Sequence, residues 1–343
     1  MKKKILIFGS GSVGAHHANA ARSLNTDVFI TDINFKQLVY LKNKLYPNRY
    51  GKWDKNIQII NFKDIFKNKK KYDLIVLGVS PFNHLKLLKK CIKYLTFTRV
   101  LVEKPLFTFN QKIDKKYFSK HKKKIFCGFN HEISSSILFV KNYLKRNKDI
   151  NHIDIYWKES FKHLLRAHPW LKSLNETYLS DIKYGGGVLH EFSHAVHLTN
   201  SLKNILKFPN ELKFDSKIQY KKMNKNRKYD YLSKMTFKNE NFKISTFIDG
   251  ISMSPQKKII IKSGEKDLIW ERISKKNIEQ IKIYKKKRLY IKKIYKVTRP
   301  QDFITQMKLL LSNKKNDVKC IECNNFENSL KTTELIKKCI KNL

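Results

Sequence analysis

Arginine and acidic residues are scarce in this chain of 343 residues. Lys and Arg together number 73 against 28 Asp and Glu, which gives a formal net charge of +45, yet only nine of the basic residues are Arg. Because Arg is the residue best suited to bidentate contacts with phosphates and base edges, its scarcity argues against a nucleic-acid-binding face. The lysines are scattered along the whole chain, which is typical of a solvated surface. Such a surface still attracts anionic ligands in a salt-sensitive way.

Cysteine is scarce as well. The five cysteines are odd in number and dispersed, which suits a reducing compartment rather than a disulfide framework. Cys320 and Cys323 form a C-x-x-C pair, but no second pair with zinc-site spacing accompanies it and no thioredoxin-like strand precedes it. The pair therefore predicts neither a metal site nor a redox motif.

Long apolar runs are absent, and with them any predicted transmembrane helix. The opening MKKKILIFG superficially resembles a signal peptide. Its apolar part of about five residues is too short for the hydrophobic region of such a signal. We therefore expect a cytoplasmic protein without a membrane partner.

Strand and helix patterns alternate over the first third of the chain. Apolar strands are predicted near residues 5–8, 27–31, 58–61, 73–79, 99–102 and 125–128, and segment 84–95 has helical spacing. The run 73–79 is apolar after Asp73, as expected for a strand buried on both faces of a parallel sheet. This alternation predicts a doubly wound α/β domain whose ligand crevice lies at the carboxyl ends of the strands.

The pattern changes near residue 130. A helix at 137–145 precedes long strands at 152–159, 229–237, 242–249, 257–261, 267–272, 281–284 and 289–297, and helices near 300–312 and 326–341 close the chain. The short polar and glycine turns between strands predict a largely antiparallel sheet with one exposed face. The length fits two domains, which we place at 1–129 (α/β) and 130–343 (α+β).

Residues 4–17 carry the most informative motif. A short strand runs directly into Gly9-Ser-Gly11-Ser12-Val13-Gly14, and a helical pattern begins near Ser12. In a dinucleotide-binding turn the first glycine permits the tight turn, the second permits approach of the pyrophosphate, and the third permits close packing of helix on strand. The phosphates would meet the first amides of the helix, at its positive end. The alternative is a glycine-rich turn without a ligand, which the flanking strand and helix disfavour.

Asp32 ends the next apolar run, eighteen residues beyond Gly14. This is close to the usual place of the carboxylate that accepts hydrogen bonds from the adenosine ribose hydroxyls. Because an acid there repels a 2′-phosphate, NAD is favoured over NADP, although Lys36 softens the repulsion and NADP stays possible. The alternative role for Asp32 is that of a helix N-cap or turn residue.

Glu103-Lys104-Pro105 stands at the carboxyl end of a predicted parallel strand. From there Lys104 can reach a substrate hydroxyl, to hydrogen-bond it or to relay a proton. Pro105 stiffens the turn, and the sequence leaves its cis or trans state open. The alternative is that Lys104 is one more surface lysine in a lysine-rich chain.

A second group spans Gly185 to His197 (GGGVLHEFSHAVH). The three glycines permit close approach of backbone to a ligand, and an amphipathic helix is predicted to follow. On it Glu191 and His194 share a face, as do His190 and His194. A carboxylate beside an imidazole fixes its tautomer and steadies the imidazolium, as a general base for an alcohol requires. The alternatives are a zinc site made by the three histidines, for which no further ligand is evident, and histidines that only cap or pack.

The segment between residues 156 and 184 is rich in aromatic and polar side chains. It would form a wall for a polar, ring-shaped substrate, unless its aromatic residues belong to the core. Its members are Trp157, His163, Arg166, His168, Trp170, Tyr178, Lys183 and Tyr184.

Taken together, these motifs resemble the glucose–fructose oxidoreductase, inositol dehydrogenase and MocA (Gfo/Idh/MocA) family of NAD(P)-dependent oxidoreductases over essentially the whole chain. The matching elements are Gly9-x-Gly11-x-x-Gly14-x-x-His17, Ser80-Pro81-x-x-His84, Glu103-Lys104-Pro105, Gly128-Phe129-Asn130 and Gly185-Gly-Gly-x-x-x-Glu191-x-x-His194. The resemblance implies a Rossmann domain followed by an α+β domain with a large open sheet. It also implies hydride transfer between a nicotinamide and a carbinol carbon of a sugar-like substrate.

The resemblance implies roles for individual residues. Lys104 would orient the substrate hydroxyl and His194 would act as the acid/base, with Glu191 as its neighbour. Cofactor contacts are implied for Gly9, Gly11, Ser12, Val13, Gly14, Asp32, Ser80, Pro81, His84, Glu103, Lys104 and Asn130. Substrate contacts are implied for Lys104, Tyr178, Gly187, His190 and His194, and no metal is implied.

Four positions depart from the family pattern. Glu191 stands where family members commonly carry Asp, and Glu132 stands where the common Asn-x-Arg has Arg. The stretch 193–197 resembles a branch with Ser-His-Glu-x-Asp that is associated with surface-polysaccharide and nucleotide-sugar chemistry. Ala195 and His197 depart from that branch.

The sequence thus predicts an NAD-dependent dehydrogenase or reductase of a sugar, sugar acid or nucleotide-sugar, working as a homo-oligomer. Two alternatives stay open. One is a catalytically silent NAD-binding regulator, which the Glu132 and Ala195 departures favour. The other is a nucleic-acid-binding protein driven by the lysine excess.

Overall fold

The computed structural model describes residues 2–67, 70–147, 149–166, 173–206 and 212–341. The described residues of 1–107, 111–130 and 299–329 form one compact unit, and those of 108–110, 131–298 and 330–343 form another. Within these ranges no helix is long and apolar enough to cross a membrane.

The described ranges contain fourteen strands and thirteen α-helices, besides one π-helical and seven short 3₁₀ segments. The strands are β1 Lys4–Phe8, β2 Asp27–Thr31, β3 Ile57–Ile59, β4 Lys71–Leu77, β5 Thr96–Val102, β6 Ile125–Cys127, β7 Ile150–Lys158, β8 Lys213–Lys222, β9 Lys228–Lys238, β10 Lys243–Asp249, β11 Gln256–Ser263, β12 Lys266–Ile273, β13 Ile278–Lys285 and β14 Arg288–Lys296. The helices are α1 Ser12–Ser23, α2 Phe35–Tyr40, α3 Tyr46–Tyr50, α4 Phe62–Ile65, α5 Pro81–Tyr94, α6 Lys115–Ser119, α7 Ser135–Arg146, α8 Phe161–Arg166, α9 Val188–Glu191, α10 Ser193–Leu206, α11 Arg299–Leu311, α12 Lys315–Ile321 and α13 Phe326–Lys341.

The first unit is built on a parallel sheet with the order β3-β2-β1-β4-β5-β6. The chain moves outward in both directions from β1, so the order reverses between β1 and β4. At such a switch point the carboxyl ends of the strands leave a crevice in which ligands bind. Residues 5–7 of β1 and 74–77 of β4 are fully buried, because helices cover both faces. The predicted doubly wound Rossmann sheet is confirmed.

The second unit contains a sheet with the order β14-β13-β12-β11-β7-β10-β9-β8. Neighbouring strands are antiparallel except for β7 and β10, which run parallel. Alternate residues of the central strands, such as Ile153, Ile155 and Trp157 of β7, are buried in the core of the unit. Their neighbours Asp154 and Tyr156 on the other face are only partly buried. This confirms the predicted, mostly antiparallel sheet with one more exposed face.

Helices α11 and α12 lie in the first unit, whereas the sequence-based boundary assigned them to the second domain. Phe303 of α11 contacts the rings of both His16 and His17 of α1, each at 4.9 Å between centroids. The Arg99 guanidinium on β5 donates to the carbonyl of Ser312 at 2.7 Å. These partners are more than 200 residues apart in sequence, so the helical pattern of 300–312 alone held no sign of them.

Candidate functional site

The glycines after β1 serve different purposes in the structure. Gly9 has a φ of +99°, and a Cβ there would lie 2.3 Å from the carbonyl oxygen of Gly78. A Cβ on Gly14 would lie 2.0 Å from the carbonyl oxygen of Gly9. A Cβ on Gly11 would meet no atom of the described structure within 4 Å. Gly9 and Gly14 are thus required by the packing of the chain on itself, whereas Gly11 faces open space.

These features fit a dinucleotide. Helix α1 begins at Ser12 directly after Gly11, which has no side chain to cap the first amides of the helix. Unpaired amides at a helix N-terminus favour an anion, and the open side of Gly11 leaves room for the backbone to approach it. Val13, in the same first turn, is partly buried. The predicted cradle for a pyrophosphate is therefore assembled as a local structure.

Asp32 is tied to this cradle. Its Oδ2 accepts hydrogen bonds from the backbone N and the Oγ of Ser10, both at 2.8 Å, and its Oδ1 accepts from the amide of Asn34 at 2.9 Å. The N-cap of α2 is Asn34, whose side chain accepts from Lys36 N at 3.1 Å. Asp32 is therefore a turn residue without being the cap. Its carboxylate oxygens retain further acceptor capacity for ribose hydroxyls.

Glu103 lies at the end of β5, where its Oε1 is 2.6 Å from Nε2 of the buried His17. Burial raises the pKa of Glu103, but the hydrogen bond and charge of His17, together with Lys104, outweigh it and hold the pKa below its usual value. A Cβ on Gly128 would lie 2.7 Å from Glu103 Oε2, so this glycine makes room for the carboxylate. The peptide bond between Lys104 and Pro105 is cis. The sequence offered His17 only as a motif position, without its partner.

His84 faces the same turn. Its Nδ1 is 3.0 Å from the carbonyl oxygen of Pro105 and its Nε2 is 2.9 Å from that of Val79. Burial lowers the pKa of His84, and the contacts with the two backbone carbonyls act against that shift. Its polar atoms thus face the chain's own carbonyls, and its contact with a cofactor stays a prediction.

The remaining predicted cofactor residues stand beside strand ends. Ser80 is the N-cap of α5 and accepts from Asn83 Nδ2 at 2.9 Å, and Pro81 is the first residue of that helix. Asn130 is half-buried where a 3₁₀ turn begins after β6. Their backbone positions follow the carboxyl ends of β4 and β6, where the switch-point rule places ligands.

In the second unit the predicted continuous helix after the glycines is broken. Helix α9 ends at Glu191, Phe192 leaves helical geometry with a ψ of 32°, and α10 begins at Ser193. Phe192 is buried and its ring stacks on Phe161 at 5.9 Å. The prediction that Glu191 and His194 share one helix face by their spacing was therefore wrong in its premise, because the break separates the two residues.

Protein atoms occupy the space in which a side chain would lie at the two glycines directly before α9. A Cβ on Gly186 would lie 2.3 Å from the carbonyl oxygen of Tyr178, and a Cβ on Gly187 would lie 1.7 Å from Asp230 Oδ1. Their small size is required by the fold itself. The predicted contact of Gly187 with substrate stays a prediction.

Glu191 and His194 have different surroundings. Tyr178 donates its hydroxyl to Glu191 Oε2 at 3.2 Å. The His194 ring stacks on Trp157 with centroids 5.8 Å apart and meets His131 edge-on at 4.8 Å. His131 in turn meets Trp157 edge-on at 5.0 Å. The structure therefore surrounds the half-buried His194 with aromatic rings and places the predicted substrate residue Tyr178 next to Glu191.

The other two histidines of this segment are packing residues. His190 is fully buried and its Nδ1–H donates to the carbonyl of Gly186 at 3.1 Å, while its Nε2 accepts from Phe109 N at 3.4 Å. Burial lowers the pKa of His190 to about 4, so the ring is neutral. His197 Nδ1 lies 2.8 Å from Thr332 Oγ1 in the core. Among the described residues no group of three His, Cys, Asp or Glu side chains could hold a metal.

Glu132, the departure from the family pattern, is buried. Its carboxylate lies 2.5 Å from Lys141 Nζ, and the Lys141 and His197 charges hold its pKa below the usual value against the effect of burial. The negative charge of Glu132 is thus compensated inside the second unit by Lys141 on α7.

Only some of the residues predicted to form a substrate wall are exposed. Trp157 is 2% exposed and belongs to the core, whereas Tyr184 is 47% exposed. His163 and Arg166 lie on α8, and Lys183 lies in a 3₁₀ turn capped by Asp181. His168 and Trp170 lie outside the described residues.

Sequence reasoning missed Asp230. This fully buried carboxylate on β9 accepts a hydrogen bond from Leu189 N at 2.8 Å, at the start of α9. The only sequence signal was an acidic residue within a predicted strand, and β8, which pairs with β9 there, was not predicted.

No protein-family model matches the sequence, and no curated protein matches it by sequence. The structure is similar to solved oxidoreductases over its full length. A dehydrogenase from Clostridium difficile has a TM-score of 0.64 at 17% identity, with 100% of both chains covered. A 3-ketoreductase from Actinomadura kijaniata, solved with NADP and TDP-benzene, has a TM-score of 0.69 at 12% identity, with 98% of this chain and 96% of that one covered. A levoglucosan dehydrogenase, solved with NADH and levoglucosan, has a TM-score of 0.73 at 11% identity, with 100% and 97% covered. At these identities the likeness establishes the fold.

Proposed function

We propose that this protein is an NAD(P)-dependent oxidoreductase of the Gfo/Idh/MocA type, which transfers a hydride between a nicotinamide and a carbinol carbon of a sugar, sugar acid or nucleotide-sugar. The observation that carries the proposal is the cradle after β1. Gly11 faces open space at the start of α1, and Asp32 is anchored to the same turn through Ser10. NADH, NADP, levoglucosan and a TDP compound in similar solved structures support the cofactor and substrate class.

The chain's own residues supply binding and proton transfer. The first amides of α1 hold the pyrophosphate, and Asp32 accepts from the ribose hydroxyls and disfavours a 2′-phosphate. Lys104, next to the cis peptide bond that follows β5, orients the substrate hydroxyl. His194 takes or gives the hydroxyl proton, and its imidazolium is steadied by the face of Trp157. The nicotinamide supplies the hydride acceptor or donor when bound.

Binding of the cofactor is tested by fluorescence titration with NADH and NADPH. We expect tighter binding of NADH, because Asp32 repels the extra phosphate. A spectrophotometric screen with inositols, levoglucosan, sugar acids and nucleotide-sugars then identifies the substrate. Tight NADH binding without turnover on any of these compounds would favour the silent regulator instead, and absence of dinucleotide binding would overturn the proposal.

Lys104→Ala and His194→Ala test the assigned roles. Each change should lower kcat by about 10²–10⁴-fold, as expected for loss of an acid/base or orienting group, with the Kd for NADH nearly unchanged. Lys116→Ala on α6 and His152→Ala on β7 are matched controls and should retain turnover. Wild-type kcat in both test variants would remove this mechanism.

We also propose that the protein is a homo-oligomer that uses the partly exposed face of the eight-stranded sheet. Tyr156 and Phe247 stack on that face at 5.0 Å with their planes 8° apart, and Ile294 of β14 is 56% exposed. Such apolar side chains on a broad sheet suit burial against a second copy. Light scattering after gel filtration measures the mass, and a monomer at all concentrations would refute this assignment. Location in the cytoplasm and a role in surface-polysaccharide chemistry remain predictions.

A further inference from the structure

Asp230 makes the first contact of helix α9. It projects from β9, is fully buried, and its Oδ2 accepts the amide hydrogen of Leu189 at 2.8 Å. The residue before the helix, Gly187, has a φ of +81°, and a Cβ at this position would lie 1.7 Å from Asp230 Oδ1. Gly187 and Asp230 therefore form one interlocked unit that decides where α9 begins.

Helix α9 carries Glu191, a residue of the candidate site, and the buried packing residue His190. Its last residue, Glu191, donates its amide to the carbonyl of Gly187 at 3.0 Å and accepts the Tyr178 hydroxyl at 3.2 Å. His190 is fixed by the carbonyl of Gly186 at 3.1 Å. We therefore expect a change at the start of this single-turn helix to move both side chains.

A carboxylate is a costly choice for this position. Neutral Ser and Asn cap helices about as well as Asp, and they avoid the burial of a charge. No cationic side chain of the described residues contributes to stabilising Asp230, whose carboxylate is stabilised only by backbone amides. A buried ionisable side chain next to a functional site is expected where it contributes to function rather than to stability.

We propose that Asp230 is a positioning residue, whose carboxylate holds the first turn of α9, and with it Glu191, in the arrangement that the reaction requires. This proposal rests on the proposed function for its catalytic consequence. The structural part, control of the start of α9 by the Asp230 side chain, stands on the geometry of Leu189 and Gly187.

Titration supports the same assignment. Burial raises the pKa of Asp230 to about 7, only partly offset by hydrogen bonds from Leu189 and neighbouring amides. The acidic groups that face it are the Tyr220 hydroxyl on β8 and the Cys339 thiol on α13. Burial, with Asp230 contributing, raises both of their pKa values, so they stay neutral near neutral pH. His190 on α9 stays neutral as well, because its pKa is lowered to about 4. Asp230 is thus the member of this cluster that changes charge near neutral pH.

The sign of the effect separates a positioning role from a structural one. Because the folded pKa lies above the ordinary value, the folded state binds the extra proton between about pH 4 and 7, and stability falls as pH rises through that window. Asp230→Asn removes this loss. The variant should therefore be more stable than wild type, by a margin that grows from about pH 4 to about pH 7 and then levels off, and yet be less active.

The first test does not need a substrate. Protein labelled with heavy nitrogen at Leu and Glu is titrated by NMR from about pH 5.5 to about pH 8.5, with Leu189→Met used to assign the Leu189 amide. We expect the amides of Leu189 and Glu191 to shift together with a midpoint near neutrality in wild type, and to stay constant in Asp230→Asn. A flat Leu189 signal in wild type, or the same titration in both proteins, would overturn the proposal.

The second test uses whichever sugar supports turnover. Asp230→Asn should lower kcat about fivefold or more with little change in KM, while its melting temperature at high pH rises. Asp114→Asn, which removes a similar cap from α6 (Tyr117 N at 2.9 Å), is the matched control and should change neither Leu189 nor kcat. Wild-type kcat in Asp230→Asn at every pH would refute the positioning role. If no sugar is turned over, the proposed function fails and the NMR titration still decides the control of α9.

Discussion

Glu103 is a buried carboxylate that the fold keeps ionised. His17 lies 2.6 Å from it, on the first helix, and Gly128 leaves the space that its oxygens occupy. Three elements thus meet at one side chain, directly before Lys104 and the cis peptide bond. The pair aligns the end of β5 with α1, which carries the proposed pyrophosphate cradle.

Removing His17 should show how much free energy the burial of the Glu103 carboxylate costs when its partner is absent. His17→Ala leaves Glu103 buried without its partner, and we expect a loss of about 3–5 kcal/mol of unfolding free energy at neutral pH. Because the pKa of Glu103 is lowered in the folded protein, the wild-type contribution is present above the ordinary carboxyl pKa and is lost as pH falls through the folded value. The deficit of the variant should therefore shrink in acid.

Denaturant unfolding at neutral and acidic pH measures this difference. The double variant His17→Ala, Glu103→Gln is the control and should recover part of the loss, since it removes the unpaired charge. An equal deficit at both pH values, with no recovery in the double variant, would contradict the assigned ion pair.

The residue scale also shows where sequence reasoning works. Gly9, Gly11, Gly14 and Asp32 act within one β-α-β unit, and their local geometry followed from spacing. Asp230 acts on a helix 41 residues away in sequence, and no local pattern indicates such a contact.

At the scale of elements, spacing misled at the α9–α10 junction. The run after the glycines has helical periodicity, so one helix was predicted. The helix is interrupted at Phe192, whose backbone leaves helical geometry and whose buried ring stacks on Phe161. Strand β8 was missed because it contains few apolar residues. Its exposed residues alternate with partly buried ones, of which only Phe214 and Ile218 are strongly apolar.

The glycines of the first turn allow a matched pair of variants. Gly14→Ala would place a Cβ 2.0 Å from a carbonyl oxygen, so α1 must shift from β1, and we expect a loss of about 2 kcal/mol or more. Gly11→Ala meets no atom of the described structure and has an ordinary φ of −77°, so stability should be preserved.

Gly11→Ala should nevertheless weaken cofactor binding. The methyl group of Gly11→Ala would stand where the pyrophosphate approaches, so the Kd for NADH should rise about tenfold, or about 1.4 kcal/mol. Thermal unfolding and NADH titration measure the two effects separately. Wild-type NADH affinity in Gly11→Ala would show that the open side of this glycine does not face the cofactor.

At the scale of the whole molecule, the chain carries a formal charge of +45. Charged surfaces act over about 10 Å at 0.1 M salt, so the field reaches an approaching anion well before contact. The 28 acidic residues can compensate at most 28 of the 73 basic ones, and described ion pairs such as that of Lys67 with Asp64 are exposed. The field is therefore largely uncompensated.

This field should govern the rate at which NADH associates. Stopped-flow fluorescence between about 20 and 500 mM NaCl should show the association rate constant falling several-fold while the dissociation rate constant changes little, because steering acts before contact. Sucrose at matched viscosity is the control. A salt effect confined to dissociation would mean that contacts inside the site, rather than the field, carry the dependence.

The sequence by itself determined the architecture of both units and the type of turn after β1. Buried strands have continuous apolar runs, half-exposed strands alternate apolar with polar residues, and tight turns need glycine. Each of these patterns can be recognised within a few neighbouring residues. Tertiary structure alone decided that residues 299–329 join the first unit, that α9 ends at Glu191, and that His190 is a neutral packing residue. It also decided that Asp230 caps α9. Those outcomes depend on side chains that are distant in sequence and exclude water around the residue concerned. The protonation state of a side chain and the end of a helix are set by these surroundings rather than by the neighbouring residues in the sequence.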